Sequence, residues 1–260
     1  MDPATTPIPG RGAPRAHLYG TLAGRAAGFV RRFGWRQVIE KPLHIAAGPL
    51  IVRGFRPGGF AFRGATHPLF LHRYNTTWLN ERAVEIPVAR RFLAEGAGRV
   101  LEIGNVMGHY GPADWDVVDR FERGPRVCNC DLAAFRPELP YDTVLSISTF
   151  EHIGFDDEET DSGERLLASL AHVREALLAP GGRLLVTAPL GYNPSFDDLA
   201  FAGRLGFDEQ AFLLRTGRCR WREAGADEAR SARYGAPFPY GNCVLFGFMR
   251  RPPETARAPG

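Results

Sequence analysis

The sequence predicts an α/β fold: a doubly wound, mainly parallel sheet of about seven strands behind an N-terminal helical or irregular arm. Three observations predict it. From position 99 onward, short apolar runs recur between loops, as strands buried on both faces do. One strongly amphipathic segment, Glu164 to Leu178, interrupts them and runs directly into Pro180-Gly181-Gly182 and another apolar run. The length, 260 residues, fits one ordinary domain with an elaborated terminus.

In chain order, residues 1–15 are Pro, Gly, Thr and Ala with little to bury, and are expected to be a disordered tail. Residues 16–79 form the arm. From His17 to Gln37, Leu18, Leu22, Phe29 and Phe33 recur near helical spacing among Arg25, Arg32 and Arg36. This is a basic amphipathic helix, packed on its own domain or lying on a membrane surface. Pro42 to His72 is Gly- and Pro-rich, with the apolar runs Leu50-Ile51-Val52 and Phe60-Ala61-Phe62, and suits short strands or a wrapping arm. The core is expected over residues 80–250, with a second disordered tail at 251–260.

The core opens on a helix carrying Ala83, Val84, Ile86, Val88, Phe92 and Leu93, with Thr77 or Asn80 as its cap and a kink or late start at Pro87. Strands follow at Arg99–Gly104, Asp116–Asp119, Val127–Asp131, Asp142–Ser148 and Arg183–Ala188. Segments around Cys219–Arg222 and Asn242–Phe248 supply two more.

Composition excludes several classes. Hydrophobic residues at 44% and charged residues at 23% are those of a globular chain, not a disordered one. No run of roughly 18 apolar residues suggests a spanning helix, and the first residues lack the pattern of a secretory signal. Four uneven cysteines do not make a disulfide framework, so a reduced cytoplasmic setting is expected. The first 100 residues hold 15 basic and 5 acidic side chains. Lys41 is the sole lysine, a bias that a GC-rich genome also writes. No aromatic-interleaved basic motif accompanies it, so a nucleic-acid partner is not supported.

The residues suited to chemistry cluster at strand ends. In Glu102-Ile103-Gly104-Asn105-Val106-Met107-Gly108, glycine at a strand's carboxyl end permits a sharp turn and close approach of main-chain N–H groups to a ligand. Glu102 is placed either to receive a ligand ammonium or to hold the loop. Asp119 ends the next strand 17 residues later, where a doubly wound nucleoside-binding fold puts a carboxylate for the ribose hydroxyls. Asp131, beside Leu132, ends the third strand. Glu151-His152 follows the fourth, where it serves a ligand or caps the next helix. His109-Tyr110 and Tyr192-Asn193 carry polar and aromatic groups suited to a substrate pocket, or to packing and N-capping. Cys128 and Cys130 have no metal-ligating cluster beside them.

Together, Val100 to Gly108, the Ser-Thr-Phe-Glu-His-Ile run from Ser148 and the Leu-x-Pro-Gly-Gly-x-Leu stretch from Leu178 resemble the class I S-adenosylmethionine-dependent methyltransferases over roughly residues 80–250. The resemblance implies a Rossmann-like sheet and S-adenosyl-L-methionine as cofactor. It implies that Glu102, Gly104, Asn105 and Gly108 line its methionine and ribose part, that Asp119 takes the ribose and Asp131 with Leu132 the adenine. Ser148 would meet the methionine amine. His152, with Glu151, is the expected base. The activity implied is methyl transfer to a small-molecule, glycan or lipid-precursor acceptor.

Two features depart from that family. Val106 stands where a middle glycine is usual, and only about ten residues join the first two strands, so the crossover helix is expected to be one turn or absent. Both features favour the alternative of a methyltransferase-like domain that binds or scaffolds without catalysis. A nicotinamide-dependent oxidoreductase would require Gly-x-Gly-x-x-Gly, which is not present here. Removing Asp119 is expected to weaken cofactor binding and leave the melting of the free protein nearly unchanged.

Overall fold

The computed structural model describes residues 35–96, 98–156 and 162–254. The expected tail at 1–15, the helix expected from His17 as far as residue 34, and residues 97, 157–161 and 255–260 lie outside the described residues.

The arm differs from its expectation. Helix α1 (Trp35–Gly54) runs through Pro42 and Pro49, so Leu50-Ile51-Val52 is helical rather than extended. Each internal proline removes a backbone hydrogen bond, and an aromatic anchor helps to hold the segment. Trp78 Nε1 donates to His44 Nδ1 at 3.3 Å, and the backbone of Gly48 lies close against the same indole. Phe60-Ala61-Phe62 is a strand as expected, β1 (Phe60–Phe62), paired antiparallel with β2 (Ala65–His67). Arg63 and Gly64 make the tight turn between them with φ of 49° and 70°, the mirror-image turn that suits a two-residue hairpin.

Helix α2 (Arg82–Ala94) starts where Asn80 Oδ1 accepts the N–H of Arg82 at 3.0 Å, and it buries Val84, Ile86, Val88 and Phe92. The sheet strands follow: β3 (Val100–Ile103), β4 (Asp116–Val118), β5 (Val127–Cys128), β6 (Tyr141–Ile147), then helix α3 (Ser162–His172) and β7 (Leu178–Pro189). Helix α4 (Pro194–Phe201), β8 (Glu209–Gly217), β9 (Arg220–Ala224), α5 (Ala226–Arg230) and β10 (Cys243–Arg250) complete the chain. The spatial order is β5-β4-β3-β6-β7-β10-β8-β9. The first five strands are mutually parallel, while β10 runs antiparallel between β7 and β8.

This is the parallel-dominated, Rossmann-like α/β sheet that the sequence predicts, with eight strands where about seven were expected. The additional strand is β8, whose apolar run Ala211–Leu214 is flanked by polar residues and carries a weak signal. Alternation assigns the two faces. Leu101, Ile103 and Val144 point to the layer containing α3 and α4, with Leu166, Leu170 and Phe196. Leu145, Ile147 and Leu185 point the other way, to α2 and the β1–β2 hairpin, with Phe60, Val84, Ile86 and Phe246. The β3–β4 crossover holds only a single 3-10 turn, Met107–His109, as its length required. Among the described residues no helix is long and apolar enough to cross a membrane.

Candidate active site at the carboxyl ends of the parallel strands

The strand order reverses direction between β3 and β6, the switch point at which open α/β sheets bind ligands. Gly104 leaves β3 with φ of 83°, and a Cβ there would stand 2.2 Å from Thr149 Oγ1. Only glycine fits that turn. Glu102 is fully buried and holds the loop that follows: Oε1 accepts the N–H groups of Val106 (2.9 Å) and Met107 (2.7 Å), and Oε2 accepts Trp115 Nε1 (3.0 Å). Burial pushes its carboxyl up, while these donors pull it back. Val106 has an ordinary negative φ of −104° and packs against the α2-side core, so this loop has no need of a middle glycine. At Gly108 the backbone approaches Asn105 Oδ1, 2.8 Å from where a Cβ would stand.

Asp119 Oδ2 accepts the N–H of Asn105 at 3.0 Å, and Oδ1 accepts those of Phe121 and Glu122 at 2.7 Å each. Three of a carboxylate's roughly four acceptor positions are thus filled. The aspartate therefore shapes its loop as well as facing the strand ends, so Asp119→Ala is expected to lower the stability of the ligand-free protein, where the sequence alone led to an expectation of nearly unchanged melting. Asn105 Nδ2 and His109 Nε2 both reach Glu122, at 2.8 and 3.1 Å, and Tyr74 stacks on His109 with ring centroids 4.5 Å apart. Asp131 caps the turn Leu132–Ala134 through Ala133 N–H (2.9 Å) and pairs with Arg165 (2.6 Å), while Leu132 is buried beneath it.

On the β6–β7 side, a buried polar cluster escaped the sequence reading. Glu85 is fully buried and its Oε1 accepts both Ser148 Oγ and Thr187 Oγ1 at 2.7 Å. Its other oxygen pairs with Arg82. Ser148, at φ of 41°, therefore directs its hydroxyl hydrogen to Glu85 and keeps only acceptor capacity for a ligand amine. Tyr110 joins the cluster: burial pushes its hydroxyl up to about 12, opposed by Arg82 and reinforced by Glu85 and Tyr74. The signal that could have revealed Glu85 is a carboxylate between Val84 and Ile86 on the apolar face of α2.

Glu151 is 1% exposed and its Oε2 has no hydrogen-bond partner among the described residues. Burial raises its carboxyl well above the ordinary range, which favours its neutral form. His152 Nδ1 meets Asp156 Oδ2 at 2.9 Å, and its Nε2 lies 3.6 Å from Glu151 Oε1. Tyr192 stands edge-on to the imidazole at 4.9 Å, with Phe155 and Tyr234 edge-on to Tyr192 at 5.7 and 5.2 Å. Asn193 caps α4, accepting Ser195 and Phe196 N–H groups at 2.9 and 3.3 Å, and its Nδ2 donates to the carbonyl of Glu151 at 2.9 Å. The structure thus brings the predicted residues into two groups along one sheet edge. Glu102, Gly104, Asn105, Gly108, His109 and Asp119 surround the β3–β4 loop; Ser148, Glu151, His152, Tyr192 and Asn193 gather beyond β6. Tyr110, Arg82 and Glu85 join them.

No family model and no curated protein sequence matches the chain. It is similar in structure to the N-methyltransferase NodS from Bradyrhizobium japonicum in complex with S-adenosyl-L-homocysteine, at 13% identity and a TM-score of 0.44 over 66% of this chain and 87% of that one. It is similar also to a SAM-dependent methyltransferase from Archaeoglobus fulgidus (14% identity, TM-score 0.39, 63% and 91% of the two chains). A third similar structure is Burkholderia thailandensis 1,6-didemethyltoxoflavin-N1-methyltransferase with 1,6-didemethyltoxoflavin and S-adenosylhomocysteine bound (16% identity, TM-score 0.35, 96% and 94% of the two chains).

Proposed function

We propose that this chain binds S-adenosyl-L-methionine along the carboxyl ends of β3, β4, β5 and β6 and transfers its methyl group to a small-molecule, glycan or lipid-precursor acceptor. The observation that supports this best is the alignment of Glu102, Asp119, Asp131 and Ser148 at the ends of four adjacent parallel strands, on both sides of the switch point. The donor set fits the group. Asp119 retains an acceptor position for a ribose hydroxyl, Ser148 Oγ can accept from an ammonium, and the Gly104 and Gly108 backbone runs without side chains. S-Adenosylmethionine, when bound, supplies an electrophilic methyl carbon.

The chain's own part is to position the acceptor and take its proton. With Nδ1 oriented by Asp156, the His152 imidazole presents Nε2 as the proton acceptor, and Glu151 Oε1 stands beside that nitrogen. Tyr192 fixes the ring from its edge.

A second reading is a domain that binds the cofactor or a partner without catalysing. It is favoured by the internal engagement of Glu102, whose carboxylate already holds three donors.

Calorimetric titration with S-adenosylhomocysteine tests the cofactor binding that the first reading requires and the second allows. Wild type is expected to bind at micromolar concentrations. Asp119→Asn, which keeps one acceptor oxygen for the loop, should bind at least about tenfold more weakly through loss of a charge-assisted hydrogen bond. A flat titration of wild type removes the cofactor from both readings.

A further inference from the structure

β5 ends in a cysteine pair that the site above does not use. Cys128 is its last residue and is exposed, and Cys130 follows two positions later, half-buried. Their sulfurs lie 3.3 Å apart. In an extended strand, residues two apart point to the same face but are separated by nearly two full rises, about 6.6 Å. Here the Cys130 N–H donates to the Cys128 carbonyl at 3.0 Å, a three-residue turn that folds the two Cα atoms towards each other. A disulfide requires sulfurs at about 2.04 Å, so closure takes a movement of about 1.3 Å, within the reach of side-chain rotation.

The turn is braced from outside. Asn129, between the cysteines, donates to the carbonyls of Asp119 and Glu122 at 3.0 Å each, and the Cys128 carbonyl accepts the N–H of Asp119 at 3.1 Å. The two thiols are thus held together by a backbone arrangement that does not depend on a bond between them. The remaining cysteines are placed otherwise: Cys243 is buried with its thiol pushed up to about 12, and Cys219 donates to the Trp78 carbonyl at 3.6 Å.

We propose that Cys128 and Cys130 form an oxidation-sensitive dithiol site that closes into an intramolecular disulfide on reaction with a peroxide. The exposed Cys128 reacts first: its thiolate attacks one peroxide oxygen, the O–O bond breaks, and hydroxide leaves with the electron pair, forming a sulfenic acid. Cys130 sulfur then attacks the Cys128 sulfur, the S–O bond breaks, and water leaves with the Cys130 proton. In balance, two thiols and one hydrogen peroxide give one disulfide and two waters. Burial and the neighbouring Cys128 raise the Cys130 thiol to about 11, which suits it to the second, proximity-driven step rather than the first. The closed link would fix the turn that joins Asp119 to Asp131.

The test uses the full chain, reduced and freed of reductant, then exposed to one equivalent of hydrogen peroxide. Trypsin cuts after Arg126 and, because Pro137 protects the bond after Arg136, next after Arg165, so both cysteines fall in one peptide, residues 127–165. That peptide is expected to lose 2 Da and at least nine-tenths of its alkylation by iodoacetamide, both reversed by dithiothreitol. C130S should stop at the sulfenic acid and take up dimedone at Cys128. Three outcomes overturn the proposal: oxygen added to the peptide without the 2 Da loss, a link to Cys219 or to a second molecule, or full alkylation after peroxide. S-Adenosylhomocysteine takes no part in the measurement, so its outcome is independent of the cofactor reading.

Discussion

His152 is held by carboxylates of different character. Asp156 fixes Nδ1 at 2.9 Å, and Glu151, whose carboxyl is pushed up by burial, lies 3.6 Å from Nε2. If Nε2 takes the acceptor's proton, His152→Ala should lower turnover by about 100-fold or more and leave S-adenosylhomocysteine affinity close to wild type. Comparing turnover and melting on one preparation checks this, and intact turnover with lowered stability would assign the imidazole to packing. Asp197 makes a separate prediction. Its carboxyl is raised from 3.8 to about 7, chiefly by burial and further by Asp198, and its Oδ1 has no partner among the described residues. Between those values the folded state keeps a proton that the unfolded chain has lost, so Asp197 makes stability fall as pH rises from about 4 to about 7, with no further loss above. Asp197→Asn preserves an acceptor for the Gly191 N–H and removes the titration. Urea denaturation at pH 4 and pH 8 should show the variant gaining on wild type at the higher pH; a difference independent of pH would refute the assignment. At this scale the sequence marked His152, Asp119 and Glu102 by their places at strand ends. It could not decide between a ligand-binding and a loop-holding Glu102, because that depends on where Trp115 folds back.

Among the elements, the β3–β4 loop sets the geometry of the site. It replaces a crossover helix with one turn, and the Glu102 carboxylate supplies part of the anchoring that a helix would provide for the loop N–H groups. Gly104→Ala would force a side chain into a left-handed turn, at about 1–2 kcal/mol, and drive its Cβ to 2.2 Å from Thr149 Oγ1 unless the loop shifts. We expect a loss of at least about 2 kcal/mol by urea denaturation, with weakened nucleotide binding. A fully stable variant would mean that the turn is not as tight as drawn. The short helix was legible because ten residues cannot make a longer one. The helix α1 was not, because Pro42 and Pro49 read as breakers and the contacts with Trp78 that help to hold the segment come from 30 or more residues away.

Across the whole molecule, the two hydrophobic clusters meet back to back through β6, β7 and β10, whose alternating side chains belong to one or the other, while β3 gives Leu101 and Ile103 to the α3–α4 side and Glu102 to the opposite face. That alternation, and with it the parallel half of the sheet, was visible in the apolar runs. The antiparallel half was less visible. β10 is nearly all apolar, a pattern that fits either direction, and its insertion between β7 and β8 is set by long-range pairing. Because strands from both halves share these clusters, a ligand gripping the β3–β6 edge should stabilise the molecule as a unit. At a hundred times its dissociation constant, S-adenosylhomocysteine would add about 2.7 kcal/mol, which for a chain of this size corresponds to a rise of about 5–10 °C in Tm. Differential scanning calorimetry should show one transition moving by that amount in wild type and by much less in Asp119→Asn. The catalytic reading requires both the shift and methyl transfer; the non-catalytic reading requires the shift only where the domain holds the cofactor rather than a partner. An unmoved transition at ligand concentrations far above micromolar would mean that the folded chain does not bind the cofactor, and would leave Asp119 a loop-building residue alone.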